Sequence, residues 1–184
     1  MYFEKPGAEN TQKTVEIVKR AVEERGIRHV VAASNEGRTA KLLVDANINA
    51  NLVIVTHACG FRAPGDMEFP GDLREELIKK GVKVLTTTHV LSGAERGLSR
   101  KFGGVYPVEI IANTLRMFGQ GVKVCVEVAT MALDAGLIPY GEEIIAIGGT
   151  SEGADSAVIM KPAHAANIMD TWISEILCKP KNRN

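Results

Sequence analysis

The sequence predicts an α/β fold: a three-layer αβα sandwich around a mostly parallel sheet with an antiparallel edge strand. Three observations predict it. Helical periodicities alternate with short apolar runs from Thr11 to His89. Those runs have few polar interruptions, as strands buried on both faces do. Further on, two strand-like runs are separated only by a short glycine-containing loop, which reads as an antiparallel return at a sheet edge.

The elements follow in order. "TQKTVEIVKRAVEE" places Val15, Val18 and Val22 on one face, with Asn10 or Thr11 as the cap. "GIRHVVAAS" is a buried strand, "GRTAKLLVDA" a helix and "ANLVIVTHA" a second strand. "GDLREELIKKG" is a helix stopped by Gly81, and "VKVLTTTH" is a third strand. Helical crossovers between such strands make a parallel sheet between helix layers, with right-handed connections. "SGAERGLSRKFGGVYP" is a surface loop or short helix. "PVEIIANTLRMFG" is a helix with Pro107 in its first turn and Gly119 past its end. "VKVCVEVATMALDAG" opens with strand-like alternation but closes as a helix, and is read as a helix ending at Gly136. "EEIIAIGG" and "SAVIMKP" are the paired strands. The tail "AHAANIMDTWISEILCKP" is a helix, or a short helix plus a strand.

The 184 residues suit a single domain spanning 1–184. Apolar residues make up 45% and charged residues 24%, as in a soluble globular protein. Lys plus Arg and Asp plus Glu both number 22. That balance argues against a general nucleic-acid partner and against long-range electrostatic steering. Cys59, Cys125 and Cys178 are far apart and odd in number, so neither a disulfide framework nor a zinc site is expected. No signal-like segment opens the chain, and its apolar runs are too short to span a bilayer. A cytoplasmic protein with no membrane partner is the expectation.

The junction "HVVAASNEGRTAKLLVDA" carries most of the functional information. Open α/β folds bind ligands where strand ends meet helix starts. Main-chain N–H groups and the positive end of the helix dipole favour phosphate there. Gly37 permits close approach, Ser34 and Thr39 offer hydroxyls, Asn35 an amide and Arg38 a bidentate guanidinium. Glu36 is discordant, since a carboxylate repels phosphate. Its alternatives are solvent, a helix cap or another part of a ligand. The competing reading is a turn with an N-cap and no ligand.

Other candidates fall at the same edge. Thr56 and His57 end the second strand, and His57 is the candidate catalytic residue because imidazole transfers protons near neutral pH. Its alternative is a hydrogen-bonded strand end, and the same weighing applies to His89. Ser99, Arg100 and Lys101 either close over an anion or form a solvated basic face. "GGTSEGADS", comprising Gly148, Gly149, Thr150, Ser151, Glu152, Gly153, Ala154, Asp155 and Ser156, is either a hairpin turn or a set of amides facing a ligand. No metal-ligand spacing, P-loop, dinucleotide fingerprint or Gly-x-Ser-x-Gly elbow is present.

With "SNEGRTA" after one core strand, "VIVTHACG" after the next helix and "GLIPYGEEIIAIGGTSEGADSAVIMKP" at the end, the sequence resembles the C-terminal domain of pyruvate kinase from about Thr11 to Pro162. In that family a Ser/Thr-x-Ser-Gly-Arg-Thr/Ser-Ala loop binds a phosphate of the allosteric effector. Here Gly37, Arg38, Thr39 and Ala40 match, Ser34 opens the motif, and Glu36 replaces a serine. The kinase barrel alone takes roughly 250 residues, so kinase activity does not carry over. Stand-alone chains of this kind are similar to flavin mononucleotide (FMN) binders. That resemblance implies a phosphate held by Ser34, Gly37, Arg38 and Thr39. Thr56, His57 and the loop from Gly148 to Ser156 would line the ring and ribityl chain, with aliphatic stacking near Thr130 and Met131. The expected function is therefore binding of a phosphorylated small molecule, FMN, in a redox or regulatory role. The alternatives are an enzyme acting on a phosphorylated metabolite through His57, and a scaffold without ligand. A homo-oligomer is compatible with each: the helix from Pro107 to Phe118 is apolar enough to serve two neighbours, and its alternative is simple core packing.

Overall fold

The structure, a computed structural model, describes residues 1–183. The strands are β1 (Tyr2–Phe3), β2 (His29–Ala33), β3 (Asn51–Val55), β4 (Lys83–Leu85), β5 (Ile144–Gly148), β6 (Ser156–Lys161) and β7 (Trp172–Pro180). The helices are α1 (Thr11–Arg25), α2 (Arg38–Asp45), α3 (Gly71–Lys79), α4 (Gly93–Phe102), α5 (Pro107–Arg116) and α6 (Gln120–Asp134). One sheet runs β1-β7-β6-β5-β2-β3-β4. Strands β4, β3, β2 and β5 are mutually parallel, β6 is antiparallel to β5 and β7, and β1 is parallel to β7. The predicted α/β class with a mostly parallel sheet is therefore the fold. The antiparallel pair does not end the sheet: the tail, a 3-10 turn plus β7, extends it, and β1 follows. Two residues of β1 are too few to leave a sequence pattern.

Strand alternation splits the core in two. Val30, Ala32, Ile54, Ile145 and Ile147 face α1, α2 and α3. Val31, Val53, Val55, Ala146 and Val158 face α6. The α6 sequence is ambiguous because the helix is hidden almost all round. Residues from Gly121 to Leu133 are buried save Val124, so no polar stripe marks an outer face. The third strand stops at Leu85, short of the predicted "TTTH". Residues from Gly93 to Phe102 form a full helix with no buried residue. Asn10 does not cap α1. Its amide donates to the Lys5 and Gly7 carbonyls, while the Thr11 hydroxyl donates to the Ala8 carbonyl and accepts the Ala154 N–H. Among the described residues, no helix is long and apolar enough to cross a membrane.

The chain steps outward from β2 to β3 to β4. It then changes face through α4, α5 and α6 and returns to lay β5 on the other side of β2. The direction of winding reverses between β2 and β5, which opens a crevice above their carboxyl ends. Backbone contact holds α6 over it. A side chain at Gly148 would overlap the Gly121 carbonyl, and one at Gly121 would overlap Asp155 and Ser156.

Asp155 ties this region together. It is fully buried and accepts the Gly7 N–H at 3.1 Å, the Thr150 N–H at 3.2 Å and the Ser156 hydroxyl at 2.8 Å. Asp155→Ala strands these donors in the interior. It is expected to cost about 3 kcal/mol, read as a lowered urea midpoint at unchanged slope.

Candidate functional site

The β2–α2 loop begins as an extension of the sheet, with the Ser34 N–H donating to the Val55 carbonyl at 3.0 Å. The Ser34 hydroxyl accepts the Ala40 N–H at 3.3 Å, which leaves its own proton to give. Gly37, at φ 87, turns the chain into α2. A side chain there would be strained at this φ and would press on the Leu73 side chain of α3, so the turn favours glycine. The N–H groups of Asn35, Glu36, Gly37, Arg38 and Thr39 have no protein acceptor among the described residues. No acidic residue occupies the first turn of α2. Five free donors thus stand together at the positive end of a helix dipole, an arrangement that suits an anion.

The charged side chains of the loop look elsewhere. Arg38 is 65% exposed and binds Glu36 at 2.7 Å and Glu152 at 3.1 Å. Glu36 also receives Arg62 at 3.0 Å. Hydrogen bonds from Arg38 and Arg62 hold the Glu36 carboxyl below the usual carboxylate range. The discordant carboxylate thus joins loops across the mouth of the crevice.

At the end of β3, Arg74 donates to the Thr86 hydroxyl, which stands 2.6 Å from the Thr56 hydroxyl, which donates to the His57 carbonyl at 2.8 Å. This chain fixes the His57 backbone. The ring is held separately. Its Nδ1 lies 3.0 Å from Oε1 of Glu68, whose side chain is 3% exposed. Phe61 stacks on His57 with ring centroids 3.8 Å apart, and His89 stands tilted at 5.5 Å. Burial lowers the His89 pKa, against the pull of Glu127, and favours its neutral ring.

The far wall belongs to α4, α5 and α6. Lys123 and Glu127, one helical turn apart and both buried, meet at 2.5 Å. Glu127 also accepts the Leu91 N–H at 3.0 Å. Burial lowers the Lys123 pKa, Glu127 opposes this, and Arg116 and Arg96 add to it. Arg116 is aligned by Gln120, to which its Nε donates at 2.7 Å.

These walls enclose a cavity of about 350 Å³, within the range of small-molecule sites. Of the residues singled out in the sequence, Ser34, Asn35, Thr39, Thr56, His57, His89, Met131, Gly149, Ser151 and Gly153 line it. Glu36 and Arg38 line an adjoining niche of about 30 Å³ that shares Ser34, Asn35, Thr39 and Gly153 with the cavity. The others lie outside it. Gly148 is packed under α6, Ala154 is in the core, and Asp155 and Ser156 bond to each other. Thr150 faces a different groove, and Thr130 is fully buried. Ser99 donates to Glu109 at 2.6 Å, and Arg96, one turn earlier, faces the cavity instead. Sequence reading missed Phe61, Arg96, Arg116, Gln120, Lys123, Glu127 and, behind His57, Glu68. The Lys123–Glu127 pair did leave a signal: opposite charges four apart in an otherwise apolar helix.

Lys123→Met leaves Glu127 buried without its partner, and a loss of about 3–5 kcal/mol is expected in urea unfolding. Lys123→Met with Glu127→Gln removes both charges and keeps an acceptor for Leu91, so most of that loss should return.

Three solved structures similar to this chain are pyruvate kinases of Cryptosporidium parvum. One is described as a pyruvate kinase from that organism, with 15% identity and a TM-score of 0.41, covering 76% of this chain and 20% of that one. A second, in complex with ADP, has 16% identity and a TM-score of 0.41, covering 81% and 22%. The third has 14% identity and a TM-score of 0.40, also covering 81% and 22%. The chain thus spans about a fifth of the length of these kinases. The family model "Pyruvate kinase, alpha/beta domain" matches residues 12–161, and the chain belongs to that family.

Proposed function

We propose that this chain is a small-molecule-binding domain that holds a phosphorylated ligand, flavin mononucleotide, at the carboxyl edge of its sheet in a redox or regulatory role. The observation that carries this reading is the row of free amides from Asn35 to Thr39, whose first and last residues line the 350 Å³ cavity. A phosphate seated on the cradle satisfies those donors. The flat group beyond it meets the rings of His57, Phe61 and His89, and the aliphatic surface of Val124, Val128 and Met131. Kinase chemistry forms no part of this reading.

Flavin absorption of gently purified protein, followed by titration with FMN and with riboflavin, tests it. Charge-assisted bonds to the phosphate should make FMN bind at least about tenfold more tightly than riboflavin. Asn35→Ala with Thr39→Val removes two side-chain donors and should narrow that difference, while the main-chain amides keep most of it. Protein that takes up neither flavin would overturn the assignment.

A second reading is an enzyme that moves a proton on a phosphorylated metabolite. The buried Glu68 carboxylate on Nδ1 of His57 favours it, because such a partner fixes the ring and leaves Nε2 as the proton carrier. Deuterium wash-in from D2O into phosphorylated aldehydes and ketones, followed by NMR, is the expected signature. It should vanish in His57→Gln while ligand affinity stays. Tight binding with no wash-in by the unmodified protein leaves binding alone.

A further inference from the structure

We infer that Lys123 is a nucleophilic amine that condenses with the carbonyl group of a phosphorylated aldehyde or ketone seated in this cavity. The inference rests on the phosphate cradle proposed above for one end of the ligand and adds a covalent anchor at the other.

The geometry singles out this lysine. Its side chain is almost fully buried, yet it lines the cavity. A structural lysine of an apolar helix would carry its amine out to water. This one is turned inward, where it meets Glu127 at 2.5 Å. Glu127 is itself held in place by the Leu91 N–H. Arg96 and Arg116 line the same wall, and His89 lines the cavity with them. Desolvation and neighbouring cations are the two conditions that make a lysine a nucleophile near neutral pH, and the pKa of Lys123 is lowered by both. Glu127 supplies the third requirement, a base within reach of the ammonium.

The protons balance through that carboxylate. Glu127 takes one proton from the Lys123 ammonium, and the freed lone pair forms the C–N bond as the carbonyl π pair moves to oxygen. The proton on Glu127 passes to that oxygen. A second proton leaves the nitrogen through Glu127, the C–O bond breaks and the oxygen departs as water. The third proton stays on the iminium nitrogen, which again pairs with the Glu127 carboxylate. The sum is an ammonium and a carbonyl compound giving an iminium and water, and no redox partner is needed.

Pyridoxal 5′-phosphate is the probe, with pyridoxal as its phosphate-free counterpart. Each is incubated with the intact protein, trapped with sodium borohydride and mapped by peptide mass spectrometry. With the phosphorylated probe, Lys123 should be labelled at least about tenfold faster than any surface lysine. FMN should slow the labelling, and Lys123→Arg, which keeps the ion pair but cannot condense, should abolish it. Labelling spread over surface lysines, with Lys123 no faster than they are, overturns the inference. So does reversible binding of pyridoxal 5′-phosphate that competes with FMN without modifying Lys123, and in that case the cradle reading stands. Equal labelling of Lys123 by both probes keeps the amine chemistry and overturns the phosphate anchor, together with the function proposed for the cradle.

Discussion

The site depends on one backbone contact, the seating of α6 on the ends of β5 and β6 through Gly121 and Gly148. A helix separated from a sheet by ordinary side chains would stand further off. Here the Gly121 carbonyl meets the bare Cα of Gly148, and Asp155 and Ser156 fill the space beside them. That closeness brings the first turns of α6 level with the strand ends. Lys123, Val124 and Glu127 then become a wall of the crevice instead of part of an outer surface. The glycine pair at the end of β5 divides its labour accordingly: Gly148 serves packing and Gly149 serves the cavity.

The electrostatics fall into two regimes. Within the cavity the charges are few and shielded from water, so each interacts strongly with its neighbour. Lys123 with Glu127 is of this kind. At the mouth, Glu152, Arg38, Glu36 and Arg62 form a run of solvent-facing pairs. A net charge of zero over the whole chain conceals this contrast.

The layered fold was legible from the sequence because its strands are buried on both faces and its helices carry clear apolar stripes. What escaped was set by tertiary contact. Strand β1 gains its identity only by pairing with Lys179 and Pro180. The β2–α2 loop was readable because its free amides are consecutive in the chain, and Gly37 pointed to the turn. The far wall was not, since Arg96, Arg116 and Lys123 come from three helices that only the crossover to β5 brings together. Glu68 gave no local sign either, because its role depends on the loop after β3 folding back over His57. The Gly148–Ser156 loop serves two ends, since Gly149, Ser151 and Gly153 reach the cavity while its far end packs inward. There the Ser156 hydroxyl and the Thr150 N–H serve the buried Asp155 carboxylate.

The solvent-facing pairs at the mouth also bear on how fast anything enters or leaves. Exposed pairs of this kind hold weakly, each worth roughly 0–1 kcal/mol, and added electrolyte weakens them further. The rim therefore yields at little cost while the floor, built on buried strands and glycine contacts, keeps its shape. A guest in such a vessel would have its residence time set by ionic strength at the rim and by shape at the base.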